Sequence, residues 1–394
     1  MSGVLRVNGY SQRWLSQGFP WVYPAEVVGK RPKPGQKLRV LSGDGRVLGA
    51  AVGDTGFLAA RVYRHDDGPL DKAWLYSTLD RAWAHREALI GPDTTGYRMV
   101  HGENDGLPGL RVDRWSHFVV ITLDSPAVAF LLPDLQSWLE DRLAPRGIYL
   151  CYRPDPRDNR DARSFRPAPG LLAGHAPTAP VRVTERALAV LVDPADGPDV
   201  GLYADMRAVR AWMEPHWGAR RVLNTFAYTG VFSVAAAIGG ASDVVTVDLS
   251  EKYLDRAEKN FEANGLDPEH HEFLAMDTFK ALDRFRRQGA LFDCVIVDPP
   301  SFSHSSAGTW SAQKDYPRLV AASARVLAPG GWLIAACNKG DVSPKEFTGW
   351  VQAGMKKAQR AGQLLQALGQ AADFPALSSF PEGRYLKVQV WRIL

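Results

Sequence analysis

Three aspartates, Asp248, Asp277 and Asp298, each close a short apolar run, and a Phe226-Ala227-Tyr228-Thr229-Gly230 turn closes a fourth. A glycine turn at a helix start lets a ligand approach the backbone closely. Asp248 follows Gly230 by 18 residues. An acid at that place can accept hydrogen bonds from ribose hydroxyls. Asp277 can receive an adenine amino group. Asp298 begins Asp298-Pro299-Pro300 at the fourth run. The Gly-x-Gly-x-x-Gly fingerprint of dinucleotide sites and the Lys-Ser/Thr phosphate loop are both missing. Each feature has a bland alternative. Gly230 can be a plain helix-start turn, Asp248 and Asp277 can cap the helices begun near Ser250 and Thr278, and Asp-Pro-Pro can simply stop a strand. Taken jointly, at successive strand ends, they fit an adenosine-bearing ligand with little phosphate. That means S-adenosylmethionine rather than NAD or ATP.

The elements that must hold these residues alternate from Val181 onward. A hairpin "VRVTERALAVLVD" comes first. Strands "RVLNTFAY", "DVVTVDLS", "HEFLAMD", "FDCVIVDPP" and "WLIAACN" then alternate with helices "VFSVAAAIGG", "EKYLDRAEKNFEANG", "TFKALDRFRRQG" and "YPRLVAASARVLAPGG". Apolar strand runs of this kind predict a parallel sheet covered on both faces, with ligands beyond the carboxyl ends of the strands. The first 65 residues predict short strands, with Asp44-Gly45 turning a hairpin. Residues 68–96 and 127–145 carry helical spacing, and 155–180 reads as a Pro-rich loop. The expected division is 1–72, a basic β module; 73–180, an α+β segment with linker; and 181–394, the α/β domain.

Composition agrees with a globular chain. Hydrophobic residues make up 45% and charged residues 23%, and no run of 18 apolar residues can span a membrane. Residues 1–10 contain no apolar core of signal-peptide length. Three scattered cysteines, Cys151, Cys294 and Cys337, suit a reducing cytoplasm and neither a disulfide framework nor a metal cluster. Residues 1–72 hold 11 Lys+Arg against 6 Asp+Glu, whereas the rest of the chain is near neutral. A basic module on a neutral body predicts a polyanionic partner, with Arg13, Lys30, Arg31, Lys33 and Lys37 as phosphate contacts or as ordinary solvated charges.

Several motifs together resemble a known family. "GFPWVYPAEV" (18–27), "HGENDGLPGLRVDRW" (101–115), "YADMR", "LNTFAYTGVFSVAAAIGGA", "VDLSEKYLDRAEKNFEANGL", "VDPPSFS" and "PEGRYLK" (381–387) resemble the class I S-adenosylmethionine-dependent methyltransferases of bacterial 23S ribosomal RNA that carry an N-terminal PUA domain. The resemblance covers nearly the whole chain. It implies an α/β, Rossmann-like catalytic domain of seven strands, preceded by a small β-barrel PUA domain for RNA and an α+β middle domain. It implies S-adenosylmethionine as cofactor, 23S ribosomal RNA or a large-subunit precursor as partner, and leaves a homodimer open. Phe226, Tyr228 and Gly230 would line the methionine and ribose. Asp248 and Leu249 would hold the ribose side, Asp277 and Thr278 the adenine, and Asp298, Pro299 and Pro300 would border the target base. Arg207 falls in the Asp-x-Arg element with Asp205. It would pair with the methionine carboxylate or make a structural ion pair.

The target atom is approached by chemistry. Cytosine C5 methylation needs a thiolate attack at C6, whereas guanine N7 has an exposed lone pair and needs only orientation and charge stabilisation. In the 5-methylcytosine members a cysteine follows the fifth strand. An ungapped count puts that position at Asn338, with Cys337 one residue early and so aimed at the other face of the strand. "DPPSFSHS" and "CNKG" look more like the guanine-N7 enzymes, so the reading leans to guanine N7. Asn338 and Lys339 would orient the base, and Phe302 would stack on it or pack beneath its loop. A bulge could re-aim Cys337 and restore cytosine C5. Cys294, within an apolar run, is expected in the core. The rivals of other classes are a non-catalytic RNA-binding assembly factor and a nicotinamide dehydrogenase.

Overall fold

The computed structural model describes residues 3–153, 167–218, 220–300, 302–305 and 308–394, with the side chains of 302–305 and 308–309 left aside. Ser301 lies outside the described residues. The chain divides into two compact units. One comprises 1–183, 192–200 and 372–383, the other 184–191, 201–371 and 384–394.

In the first unit a six-stranded sheet is built from residues 3–64. Its strands Lys37–Leu41 and Val47–Gly53 form the hairpin expected around Asp44-Gly45. Alternating residues Leu5, Val7, Leu38, Val40 and Val62 fill its core. A helix, Gly9–Ser16, was not anticipated among these strands. The Asn8 side chain caps it by accepting from the Ser11 N–H at 3.0 Å. A second, five-stranded sheet spans residues 96–174 and is covered by helices Lys72–Leu89 and Leu132–Leu143. Leu79, Val112, Ile121, Trp138 and Leu150 are fully buried there. The expected loop at 155–180 is corrected in part. Gly170–Gly174 is a strand, antiparallel to Gly147–Tyr152, while 154–166 lie outside the described residues.

The polar residues of the 101–115 stretch organise this unit. Asp105 takes a bidentate pair from Arg86 at 2.7 Å on both oxygens. Asn104 Oδ1 accepts from the Leu377 N–H at 2.9 Å, and Phe380 packs on Trp21 with ring centroids 4.8 Å apart. The segment 372–383, distant in sequence, is thereby part of this unit.

The second unit contains a seven-stranded sheet. Its strands are β1 (Arg221–Thr225), β2 (Asp243–Asp248), β3 (Glu272–Ala275), β4 (Phe292–Val297), β5 (Leu327–Cys337), β6 (Gly362–Leu368) and β7 (Lys387–Ile393). Their spatial order is β3-β2-β1-β4-β5-β7-β6. The first five are parallel, and β7 runs antiparallel to both β5 and β6. Its helices are α1 (Arg207–Met213), α2 (Val231–Ile238), α3 (Glu251–Ala263), α4 (Thr278–Arg287), α5 (Ala312–Ala324) and α6 (Pro344–Lys357). Central strands are buried on both faces, which is why β2 and β4 read as continuous apolar runs. The order reverses between β1 and β4, which opens a crevice at their carboxyl ends.

Two boundaries differ from expectation. The helix expected over 316–331 is α5, ending at Ala324. Ala328-Pro329-Gly330-Gly331 belongs to β5, where the register against β4 shifts between Phe292 and Cys294. The Pro-Gly-Gly run forms an irregular strand entry because Gly330 takes φ +79°. The third strand stops at Ala275, short of Asp277. No described helix is long and apolar enough to cross a membrane.

Candidate functional site

The turn after β1 is an unusual piece of backbone. Phe226, Tyr228 and Gly230 have φ of +55°, +53° and +69°. Bulky residues rarely adopt this left-handed region, and such strain concentrates at ligand sites. The turn is held from all sides. The Ala227 N–H donates to the Val247 carbonyl at 3.0 Å, Thr229 Oγ1 to the Gly201 carbonyl at 2.6 Å, and Asn260 Nδ2 to the Thr229 carbonyl at 2.9 Å. Gly230 starts α2, as expected. Its missing Cβ serves helix packing, since one built there would stand 2.6 Å from Ala257 Cβ on α3. Helix packing is thus a reason for glycine here beyond the expected close approach of a ligand.

Asp248 ends β2 half-buried. Its Oδ2 accepts from the Tyr228 N–H at 2.8 Å and its Oδ1 from the Ser250 N–H at 3.0 Å. Each carboxylate oxygen has two acceptor sites, so one on each remains. The next residue, Leu249, is 60% exposed, and Tyr203 is 45% exposed with its ring 5.2 Å from that of Tyr228. Tyr253 on α3 packs on the other side of Tyr228 at 4.6 Å. Asp277 is the cap of α4, with Thr278 buried as its first residue. Both N–H donors, from Phe279 and Lys280, reach Oδ1, so Oδ2 has no partner among the described residues. Asp277 caps its helix, as the sequence allowed, whereas the cap position before α3 is Ser250 and Asp248 fastens the β1 turn instead. Both keep acceptor sites open.

At the end of β4, burial and the nearby Asp205 push the Asp298 carboxyl up from 3.8 to about 7, and Arg210 opposes the shift. Asp205 Oδ2 accepts from the Tyr385 hydroxyl at 2.7 Å. Arg210 is buried on α1, bidentate to Glu185 at 2.8 Å and bonded to the Tyr203 carbonyl at 3.1 Å. Arg207 lines a cavity with Glu185, Glu214, Ala235 and Ile238, beside Arg210. Pro299 is buried, and the Pro300 carbonyl accepts from Trp310 Nε1 at 2.7 Å. Trp310 itself stands 6.1 Å from both Phe226 and Phe279. Phe302 begins a short hairpin strand, and its side chain lies outside the described residues.

Cys337 is the last residue of β5, 3% exposed and packed in the core with Tyr316, Leu333 and Phe347. Burial raises its thiol, against smaller opposing effects of the Lys339 N–H and the Lys387 ammonium. Asn338 is exposed immediately beyond it, and Lys339 pairs with Asp341. Cys294 is fully buried in β4, its thiol pushed up to about 12. Sequence reasoning missed Arg210, Trp310, Tyr316, Tyr385 and Lys387. Only the "PEGRYLK" stretch offered a signal, and it covered the last two.

Within the first unit, Arg13, Lys30 and Lys33 are exposed. Two of the expected phosphate contacts also bond to the protein's own carbonyls. Arg31 Nη2 is spent on the Gly56 carbonyl at 2.8 Å and on that of Leu58. Lys37 Nζ donates to the Leu70 carbonyl at 2.7 Å and sits 5.3 Å from the Phe130 ring. Both cations thus hold loop carbonyls as well as carrying charge. Among the described residues no group of His, Cys, Asp and Glu gathers as a metal site.

Residues 163–378 match the family of S-adenosylmethionine-dependent methyltransferases. The chain is 34% identical over its full length to the full-length ribosomal RNA large subunit methyltransferase I of Shewanella amazonensis. It is 34% identical to the protein of that name from Aeromonas salmonicida, with 97% of each chain covered. Among solved structures, that of SMU.776, a methyltransferase candidate complexed with SAH, aligns with TM-score 0.89 over 99% of both chains at 23% identity. An S-adenosylmethionine-dependent methyltransferase structure from Streptococcus mutans aligns at TM-score 0.86, also at 23% identity and over 99% of both chains.

Proposed function

This chain belongs to the S-adenosylmethionine-dependent methyltransferases, and from that premise we propose that it methylates a base of large-subunit ribosomal RNA at guanine N7. The cofactor, when bound, supplies a methyl group on a sulfonium, which any well-placed nucleophile can take. The residues around the β1 turn fit it. The acceptors left on Asp248 suit ribose hydroxyls, the open Oδ2 of Asp277 suits an adenine amino group, and Leu249 offers an apolar face beside them. Phe226, Tyr228 and Gly230 would shape the methionine side, and Thr278, the buried first residue of α4, would hold that helix in place beside Asp277. Arg207, in the Asp-x-Arg element with Asp205, is the candidate for the methionine carboxylate, with a structural ion pair as its alternative role.

The observation that carries the choice of atom is the burial of Cys337 in the core, with its thiol raised rather than lowered. A cytosine C5 enzyme needs a thiolate beside C6. Guanine N7 needs no covalent partner. As N7 takes the methyl group, positive charge grows on the purine. An ionised Asp298 stabilises that charge, and the exposed Asn338 with Lys339 orients the O6 edge. Residues 1–72, read as a PUA-like module, add phosphate contacts through Arg13, Lys30 and Lys33.

The rival is cytosine C5 methylation through Cys337. It draws on the Lys387 ammonium and Lys339 N–H, which both favour a thiolate. Mass spectrometry of nucleosides from ribosomal RNA incubated with enzyme and labelled cofactor separates the two. Labelled 7-methylguanosine is expected. Labelled 5-methylcytidine, lost in Cys337→Ala, overturns the guanine reading, and no transfer to any ribosomal RNA base overturns the substrate class.

A further inference from the structure

Lys387 is only 6% exposed, at the first position of β7 and directly across from Cys337 in the antiparallel register. Among the described residues it makes no ion pair. Its ammonium donates instead to two backbone carbonyls, that of Lys339 and that of Tyr385, the latter at 2.7 Å. A buried charge without a counter-ion is costly, and an apolar side chain would fill a strand position more cheaply. The Lys339 carbonyl takes the Lys387 ammonium, which fixes the backbone of the turn two residues beyond Cys337. The Lys339 ammonium itself pairs with Asp341.

We infer that Lys387 is a positioning residue for methyl transfer: its buried ammonium clamps the Lys339 carbonyl and so sets the Asn338-Lys339 turn against the target base. This rests on the proposed reading in which the turn faces the base. Lys387 acts through the backbone of that turn and touches neither cofactor nor base. The groups that bear on its charge are Cys337, Lys339 and Asp341 around the turn and Glu346 on α6, while burial lowers its proton affinity below the ordinary lysine range. The clamp therefore weakens as pH rises and the ammonium becomes a neutral amine with a weaker hold on a carbonyl.

The test compares the full-length wild type with Lys387→Met, Lys387→Arg and Asn338→Ala on ribosomal RNA. In Lys387→Met, kcat is expected to fall roughly 10- to 100-fold, the scale of a small misplacement of reacting groups. Titrated S-adenosylhomocysteine should bind it as it binds the wild type. Lys387→Arg should keep most activity and extend the alkaline limb of the kcat profile to higher pH, because a guanidinium does not deprotonate. Titration of the RNA is common to both enzymes and cancels in that comparison. Wild-type kcat in Lys387→Met, alongside a slow Asn338→Ala, overturns the clamp and leaves the guanine reading standing. Full activity in both Lys387→Met and Asn338→Ala overturns the reading of the turn and the clamp with it. If Lys387→Met does not fold, Lys387→Arg decides: an alkaline limb identical to wild type means a purely structural lysine and overturns the proposal.

Discussion

The backbone N–H of Tyr228 donates to Asp248 Oδ2 at 2.8 Å, joining the ends of the first two strands of the catalytic sheet. Tyr228 has φ +53°, so the carboxylate helps hold a residue in a conformation it would not choose alone. Asp248 thus shapes the turn as well as offering acceptors to a ribose.

Asp248→Ala should therefore do two things. Loss of a charge-assisted acceptor costs about 1.5–3 kcal/mol of S-adenosylhomocysteine binding, or roughly a 10- to 100-fold weaker Kd. Release of the Tyr228 N–H should also speed amide exchange at residues 226–230. Asp248→Asn, which can still accept at one oxygen, should sit between. Calorimetric titration with hydrogen exchange checks both, and unchanged exchange would assign Asp248 to ligand contact alone.

Asp298 should govern the pH dependence. Its folded-state pKa of about 7 lies above the ordinary 3.8. The proton it binds in the folded state contributes stability that is present in full below pH 3.8 and is lost as pH rises through 7. Asp298→Asn should accordingly stabilise the ligand-free protein above pH 7, read as a higher urea midpoint at about pH 8. For turnover the sign reverses. If the ionised form stabilises charge on the purine, kcat/KM rises with pH through about 7 in the wild type. In Asp298→Asn it should be low and flat, with cofactor affinity less affected than turnover.

Gly230→Ala should destabilise through two separable causes. A φ of +69° strains alanine by about 1–2 kcal/mol, and the 2.6 Å approach to Ala257 Cβ adds about 1–3 kcal/mol of overpacking. Adding Ala257→Gly should recover the second part and not the first. A urea double-mutant cycle measures the split, and full recovery would mean that backbone strain contributes nothing.

Cys337→Ala should keep most activity if guanine N7 is the target. A moderate loss in kcat is expected because the smaller side chain loosens core packing beneath the Asn338-Lys339 turn. Complete loss, with trapping of an RNA–protein adduct by a 5-fluorocytidine substrate in the wild type, would establish the thiolate route.

RNA affinity should separate the basic residues of the first 72. Charge removal at Arg13, Lys30 and Lys33 should weaken binding and lower its salt slope by about one for each phosphate no longer neutralised. Arg31→Ala and Lys37→Ala should instead lower thermal stability, since both cations hold loop carbonyls. Filter binding across a salt series and a melting curve distinguish the two groups.

The alternation of strands and helices after Val181, and the placing of three acids at strand ends, needed nothing beyond the order of the residues. Local periodicity is enough for that. Strands buried on both faces must be apolar throughout, so "DVVTVD" and "FDCVIVD" announce themselves and their terminal acids stand out. The five parallel strands, their helices and the Asp44-Gly45 hairpin were legible in this way. Short-range signals failed where length was small or chemistry ambiguous. Gly9–Ser16 is too short to show a period, and Pro329-Gly330-Gly331 reads as a break although it lies within β5. Tertiary packing chose which partner each polar group meets. Arg31 and Lys37 look like free cations in sequence but answer carbonyls 25 and 33 residues away. Cys337 looks available but is enclosed by α5 and α6 side chains. Lys387, almost silent as a letter, lies beside the turn after β5 only because β7 folds back antiparallel to that strand, and pairings between residues so far apart leave no periodic trace in the chain.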